Sequence, residues 1–285
     1  MPILKGTIIS VLKLSFVIFN KKQFSKYHAK SICIHIFLLF CKKIYPFLVT
    51  KVSVLITLNK AFPDNLFEVN VSSCKINITV NNKTFSFWIN NWFNKKEIVL
   101  SIICSKLGQN KRVFARNCEA KKVTKQEAEK FLNQNHLLGF KTAYFKYALY
   151  NQQEMVAIAT FSKGRKMNRL ESNKRSFELI SFCCKKGESV IGGLSKLLKA
   201  FVTDLQPGDL MTYIDKDWSD GSAYLNLGFK IHSETEPQSY VFDTTNFEKY
   251  QFDKLPKNIF IALQSNNQNL EIVKNSGNLK LVYTL

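Results

Sequence analysis

The rhythm of apolar and polar positions changes near residue 64. Residues 1–63 are rich in apolar side chains but keep neither a period of two nor one of 3.6, and they predict no defined element. From 66 to 92, Val69, Val71, Ile76, Ile78 and Val80 approach alternation, and Asn81-Asn82 falls where a strand pair would turn. Trp88-Ile89-Asn90-Asn91-Trp92 then precedes a helical stretch, Lys95–Leu107, ended by Gly108.

From Thr124 the signals sharpen. Thr124-x-x-Glu127 has the form of a capping box, and Ala128, Phe131 and Leu132 continue one helix face to about 135–139. Strand patterns follow at 143–150 and 154–161, with Asn151-Gln152-Gln153 as the hairpin turn, and a third covers Phe177–Cys183. Gly192-Gly193 open a periodic helix with Leu194, Leu197, Leu198, Phe201, Val202 and Leu205 on one stripe, and Pro207-Gly208 stop it. Strand Leu210–Ile214 runs into Asp215. A short helix at about 219–227 ends at Gly228, strands follow near 229–232 and 239–243, and the tail 254–285 adds a strand or two. Helix, hairpin, strand, helix, strand, helix, strand, strand is the order of a mixed sheet covered by helices, an α/β (α+β) fold.

Charge divides the chain in the same place. It carries 41 basic and 21 acidic side chains, formally +20. Residues 1–63 hold ten Lys and no Asp or Glu, leaving 31 basic and 21 acidic residues for the other 222. This balance favours a polyanionic partner, nucleic acid or an anionic membrane face. The longest charge-free apolar stretch of residues 1–63 is eleven residues, 31–41, where a spanning helix needs about 20. Lys13 interrupts the first apolar run and no small-residue cleavage site follows, so no signal peptide is expected. Interfacial association of this Lys-rich segment is the lesser alternative. Seven Cys without a CxxC pair read as reduced thiols in a cytoplasmic protein, and Cys183 and Cys184, adjacent in a strand, point to opposite faces. Four regions result: 1–63, basic and of undefined fold; 64–110, a small β/helix segment; 111–253, the mixed-sheet domain; and 254–285, a C-terminal extension.

The element order from 124 resembles the GNAT (acyl-CoA N-acyltransferase) fold, and two local features carry the likeness. The first is the strand-loop-helix with Val190-Ile191-Gly192-Gly193-Leu194-Ser195-Lys196 at the helix start, where free backbone N–H groups attract a pyrophosphate. Ser189 stands where the family usually has Gln or Arg. The second is Ala223-Tyr224-Leu225-Asn226-Leu227-Gly228-Phe229, similar to the family's closing signature. The resemblance implies acetyl-CoA or another acyl-CoA as donor, with Gly192, Gly193 and Ser195 as its binding residues. It implies Tyr224 as the general acid toward the leaving thiolate. The blocks ARNCEAKKVTKQEAEKFLNQNHLLG, ALYNQQEMVAIATFSKGR, SFELISFCCK and YIDKDWSDGSAYLNLGF, within 112–232, also resemble the C-terminal domain of phage and mobile-element proteins labelled Hef-like homing endonucleases, and distantly the Mom-type DNA-modification proteins. In that group a Vsr-like endonuclease domain often lies upstream, and the WINNWF segment resembles its end. Such nucleases need clustered carboxylates for a divalent ion. Residues 1–96 offer only Asp64 and Glu68, so an intact N-terminal nuclease is not expected.

Candidate chemistry gathers at Asp215-Lys216-Asp217-Trp218-Ser219-Asp220-Gly221, past the C-terminal edge of a strand, where open α/β sheets bind ligands. Asp215 or Asp217 reads as a general base toward an amine, or Asp215 with His136 as ligands to a divalent metal. The competing reading of this cluster is a turn that caps the next helix, and of His136 a helix-end cap. For nucleic acid, the cations are Arg112 and Arg116 in the connector, and Lys163, Arg165, Lys166, Arg169, Lys174 and Arg175 in the loop 163–175. A solvated loop is the plainer account of the latter. Three functions remain: a GNAT-like domain acting on or binding nucleic acid, a CoA-dependent N-acyltransferase on a small amine or protein, and a non-catalytic DNA-binding module.

Overall fold

A computed structural model describes residues 46–285 apart from Arg169. The expectations for the apolar stretch 31–41, for Cys33, Cys41, His28 and His35, and for Arg169 lie outside the described residues. Residues 54–285 form one compact unit, and every candidate site residue falls in it. Among the described residues no helix is long and apolar enough to cross a membrane.

Helix α1 (Pro46–Ala61) opens the described chain, and its Val54 and Leu58 are fully buried. Strands β1 (Glu68–Val71), β2 (Lys75–Val80) and β3 (Lys83–Trp88) form an antiparallel meander. Its apolar alternation buries Val69, Ile76, Ile78 and Val80, and Asn81 and Asn82 make the turn with positive φ. Helix α2 (Ile89–Lys106) begins six residues earlier than the sequence pattern places it, and Lys95 breaks it internally with φ −138° and ψ 33°.

The large sheet has seven strands. They are β5 (Glu119–Lys122), β6 (Phe145–Asn151), β7 (Glu154–Phe161), β8 (Ser176–Cys184), β10 (Asp209–Asp215), β11 (Lys230–Glu234) and β15 (Asn278–Thr284), in the order β11-β15-β10-β8-β7-β6-β5. Every pair is antiparallel except β8 and β10, which a helical crossover joins in parallel. This is the mixed sheet flanked by helices that the sequence predicts. Helix α3 (Lys125–Asn135) packs Ala128, Phe131 and Leu132 on one face against Ala148 and Ile158. Helix α4 (Gly193–Leu205) packs its stripe on the other face, where Phe201 stacks on Phe161 with centroids 3.9 Å apart. Neighbouring strand residues face opposite ways, so Cys183 packs on the α3 side and Cys184 on the α4 side.

Three features depart from the sequence reading. Residues Glu188–Ile191, expected as loop, form a strand, β9, paired in parallel with β4 (Lys111–Phe114). The short helix is only Ser222–Leu225, here α5. The tail does not merely extend the domain, because β15 lies between β10 and β11 and completes the large sheet. Between β11 and β15, residues 235–277 carry β12 (Ser239–Asp243), β13 (Glu248–Gln251), helix α6 (Lys257–Gln264) and β14 (Leu270–Lys274). Their small sheet shares a core with the first meander: Trp88 meets Phe242 at 6.2 Å and Tyr240 at 5.4 Å between ring centroids.

Candidate active site

The parallel partners β8 and β10 part early. Their register covers only Asp209–Ser176, Leu210–Phe177 and Met211–Glu178. One further bond, from Thr212 Oγ1 to the Leu179 carbonyl at 2.9 Å, bridges them beyond it. From there β8 runs on to Cys184 and β10 to Asp215 without a shared ladder. The result is a gap in the sheet at the end where the loops before α4 and α5 begin.

Tyr224 faces this gap. It sits on α5, the turn of helix after β10, with its ring edge-on to Phe229 at 5.8 Å. Burial pushes its phenol up to about 12, and the Cys183 and Cys184 thiols at the end of β8 add to the rise. The ring therefore stands across the gap from the end of β8. Among the described residues no protein hydrogen bond reaches its hydroxyl.

Gly192 caps α4 in the left-handed region at φ 74°, a conformation that favours glycine. Gly193 is needed for room, since a Cβ there would lie 3.0 Å from Val190 Cγ1. A shallow hollow of about 430 Å³ lies at this helix start, lined by Arg116, Gly192, Ser195, Lys196 and Lys199 among others and by no carboxylate. Lys196 is committed within it: its ammonium donates to the Ala115 carbonyl at 2.9 Å and to that of Cys118. Arg116 lies over the Phe114 ring at 5.0 Å. The remaining donors, the first-turn N–H groups, Ser195 and the Arg116 and Lys199 charges, form a set that fits phosphate oxygens.

The two aspartates have different surroundings. Asp217 is 5% exposed. Its Oδ1 accepts from Lys75 Nζ at 3.0 Å and from Ser276 Oγ at 2.6 Å, and its Oδ2 accepts from Lys75 Nζ at 3.1 Å. Its backbone carbonyl takes the Ser86 N–H at 2.8 Å. This carboxylate ties β2, the turn after β10 and the turn before β15. Asp215 Oδ1 accepts the Asp217 N–H at 2.9 Å. Burial, with Asp217 beside it, raises the Asp215 carboxyl above the usual range, and Lys249 works against the rise. Asp220 caps its own turn through the Ser222 N–H and hydroxyl.

His136 belongs elsewhere. It closes α3, with Nδ1 3.3 Å from the Gly139 carbonyl. Burial lowers its imidazole to about 4, and Lys141 and Lys95 lower it further. Its charged neighbours are thus lysines, and those of Asp215 are Asp217 and Lys249. Among the described residues no three His, Cys, Asp or Glu side chains gather as metal ligands would. The helix-end reading of His136 and the turn reading of Asp217 and Asp220 describe their contacts; the joint metal site of His136 and Asp215 finds no support in this arrangement.

Arg112, Arg116, Lys163, Arg165 and Lys166 are exposed. Lys174 and Arg175 are half-buried, and Arg175 spends one arm of its guanidinium on the Ser172 and Lys174 carbonyls at 2.8 and 3.0 Å. Sequence reasoning missed Lys249, Lys75 and Tyr240, which surround the end of β10 but come from positions 25 to 140 residues away in the chain.

No family model matches the chain, and no curated protein matches it. Among solved structures, an acetyltransferase from Bacillus subtilis in complex with CoA shares 14% identity at a TM-score of 0.36, over 59% of this chain and 99% of that one. The ribosomal-protein-S18-alanine N-acetyltransferase from Escherichia coli shares 11% at 0.36, over 59% and 93%. A GNAT family acetyltransferase from Elizabethkingia anophelis with acetyl-CoA bound shares 12% at 0.34, over 59% and 99%.

Proposed function

We propose that the protein is a GNAT-like N-acyltransferase that takes an acyl group from an acyl-CoA to an amine. The observation that carries this reading is Tyr224, a protonated phenol held across the β8–β10 gap from the end of β8. A helix N-terminus with a cationic, carboxylate-free hollow follows the same strand. The resemblance of the 190–196 and 223–229 segments, which contain these same residues, to the GNAT signatures agrees with it. Gly192, Gly193 and Ser195 with Arg116 and Lys199 would hold the phosphates, and the bound coenzyme would supply the activated thioester. Tyr224 would donate toward the departing sulfur. Asp215, whose carboxyl is raised, would take the amine proton.

Acetyl-CoA at a hundredfold excess over its Kd is expected to stabilise the folded chain by about 2.7 kcal/mol. A rise in the thermal midpoint that saturates with acetyl-CoA would support the reading. No shift at millimolar ligand would remove the donor from it.

The exposed cations Arg112, Arg116, Lys163, Arg165 and Lys166 favour a second reading, in which the amine or the docking partner is nucleic acid, as in the phage and mobile-element group. Phosphate contacts release counterions, so affinity for duplex DNA in a mobility-shift series is expected to fall by about 10³ or more between 50 and 200 mM salt if six or so phosphates are engaged. A flat salt response, or no complex at low salt, would discard it.

A further inference from the structure

The outer side of α4 carries charge well past the hollow at its start. The inward stripe of the helix, Leu194, Leu197, Leu198 and Phe201, is buried in the core of the sheet. Lys196, Lys199 and Thr203, spaced three and four residues apart, therefore line up on the outer side. Strand β5, at one edge of the large sheet, lies alongside. Between helix and strand runs a second hollow of about 700 Å³, lined by Lys121, Lys122, Tyr147 and Asp204 among others. The two hollows share Lys196 and Lys199 and so form one trough, about 17 Å long by the helical rise from Gly192 to Thr203. Its charged lining is Arg116, Lys121, Lys122, Lys196 and Lys199 against the single carboxylate of Asp204. That carboxylate is already engaged, by Lys122 at 2.7 Å and by the Tyr147 hydroxyl at 2.9 Å. Outside the lining, Glu119 pairs with Lys121 at 2.8 Å.

An exposed ring stands at the upper end. Phe114 on β4 is 43% exposed, and Ile191, its parallel partner on β9, is 49% exposed. Arg112 and Arg116 lie two residues to either side of Phe114 in the chain, and the Arg116 guanidinium is 5.0 Å from the ring centroid. A row of cations beside an open aromatic face matches a ligand that alternates phosphates with flat bases. An acidic peptide would answer the charge and leave the ring uncovered, and a duplex keeps its base faces stacked inside. We propose that the trough between α4 and β5 binds a single-stranded polynucleotide, with phosphates along Arg116, Lys199, Lys122 and Lys121 and a base against Phe114. This deepens the nucleic-acid reading above and rests on it, moving the contact from the loop 163–175 to α4. The strand and the coenzyme phosphates call on the same Arg116 and Lys199, so the two ligands exclude one another.

The test is fluorescence anisotropy of a labelled oligothymidylate of about 15 nucleotides with the full chain, from 50 to 200 mM salt. With three or four phosphates engaged, affinity should fall by about 20- to 50-fold over that range. Phe114→Ala should weaken binding by at least about fivefold, the loss of one stacked base. Lys121→Ala and Lys199→Ala should each weaken it and lower the salt slope by about 0.7, one phosphate contact. Lys163→Ala with Lys166→Ala should change little. All five side chains are exposed, so unfolding midpoints should stay in place. Weakening by the trough variants and not by the loop pair supports the proposal. Loss confined to the loop pair, or a duplex bound with Phe114→Ala without effect, overturns it and leaves the nucleic-acid reading standing. No complex at 50 mM salt with either the oligothymidylate or duplex DNA removes both. Acetyl-CoA binding to the oligonucleotide-saturated chain without displacing the strand would overturn the shared trough.

Discussion

Asp217→Ala is expected to lower the unfolding free energy by about 3–5 kcal/mol, the cost of leaving a buried charge without its partner. The Asp217 side chain is 2% exposed and that of Lys75 is 16% exposed. Water therefore replaces the lost carboxylate poorly. The Lys75 ammonium would be left 5.0 Å from the Trp88 ring, with Lys249 over the same ring. Ser276 would lose its acceptor as well. Urea unfolding should show the loss as a lower midpoint at unchanged slope. Two companions make the result specific. Asp220→Ala removes an exposed cap and should cost only about 0.5–2 kcal/mol. Lys75→Met with Asp217→Ala removes both charges and should recover part of the loss. A single-variant cost under 1 kcal/mol, on the order of a surface ion pair, would show that the tie does not hold these segments together.

That tie marks where the sequence stops being readable. The capping box is local: Thr124 and Glu127 are three residues apart, and each satisfies the other's backbone as the spacing predicts. The α4 stripe and the left-handed Gly192 are local too, set by side-chain periodicity and by steric limits on φ. Asp215 at the end of β10 was legible because the strand pattern ends there. Its surroundings were not. Lys75 and Trp88 come from the first meander, and Tyr240 and Lys249 from the segment inserted between β11 and β15. Neither segment signals in its own pattern that the two will share a core. The pairing of β15 between β10 and β11 is hidden for the same reason, since strand order depends on which edge a returning chain finds open. Even His136, a plausible ligand by type, is decided by burial beside two lysines.

Tyr224→Phe is expected to lower kcat for acyl transfer by about 10²–10³, with little change in KM for the acyl-CoA. The substitution keeps the ring that packs edge-on against Phe229 and removes only the hydroxyl. How the hydroxyl acts follows from two magnitudes. The phenol is held near 12, and a free thiol titrates near 8.5. Complete transfer of the proton to a thiolate would then run uphill by about 5 kcal/mol. The favourable contribution is a hydrogen bond that strengthens as charge develops on sulfur, with the proton staying on Tyr224 while solvent protonates the released thiol. An interaction of that kind exists only in the transition state, so its loss appears in kcat and kcat/KM alike. It also leaves the alkaline limb of the rate profile to the amine and its base, because Tyr224 stays protonated through neutral and moderately basic pH. The measurement is thiol release from acetyl-CoA with a panel of primary amines, for both proteins, from pH 6 to 10. Equal turnover of the two proteins, or a change confined to KM, would assign Tyr224 to packing alone.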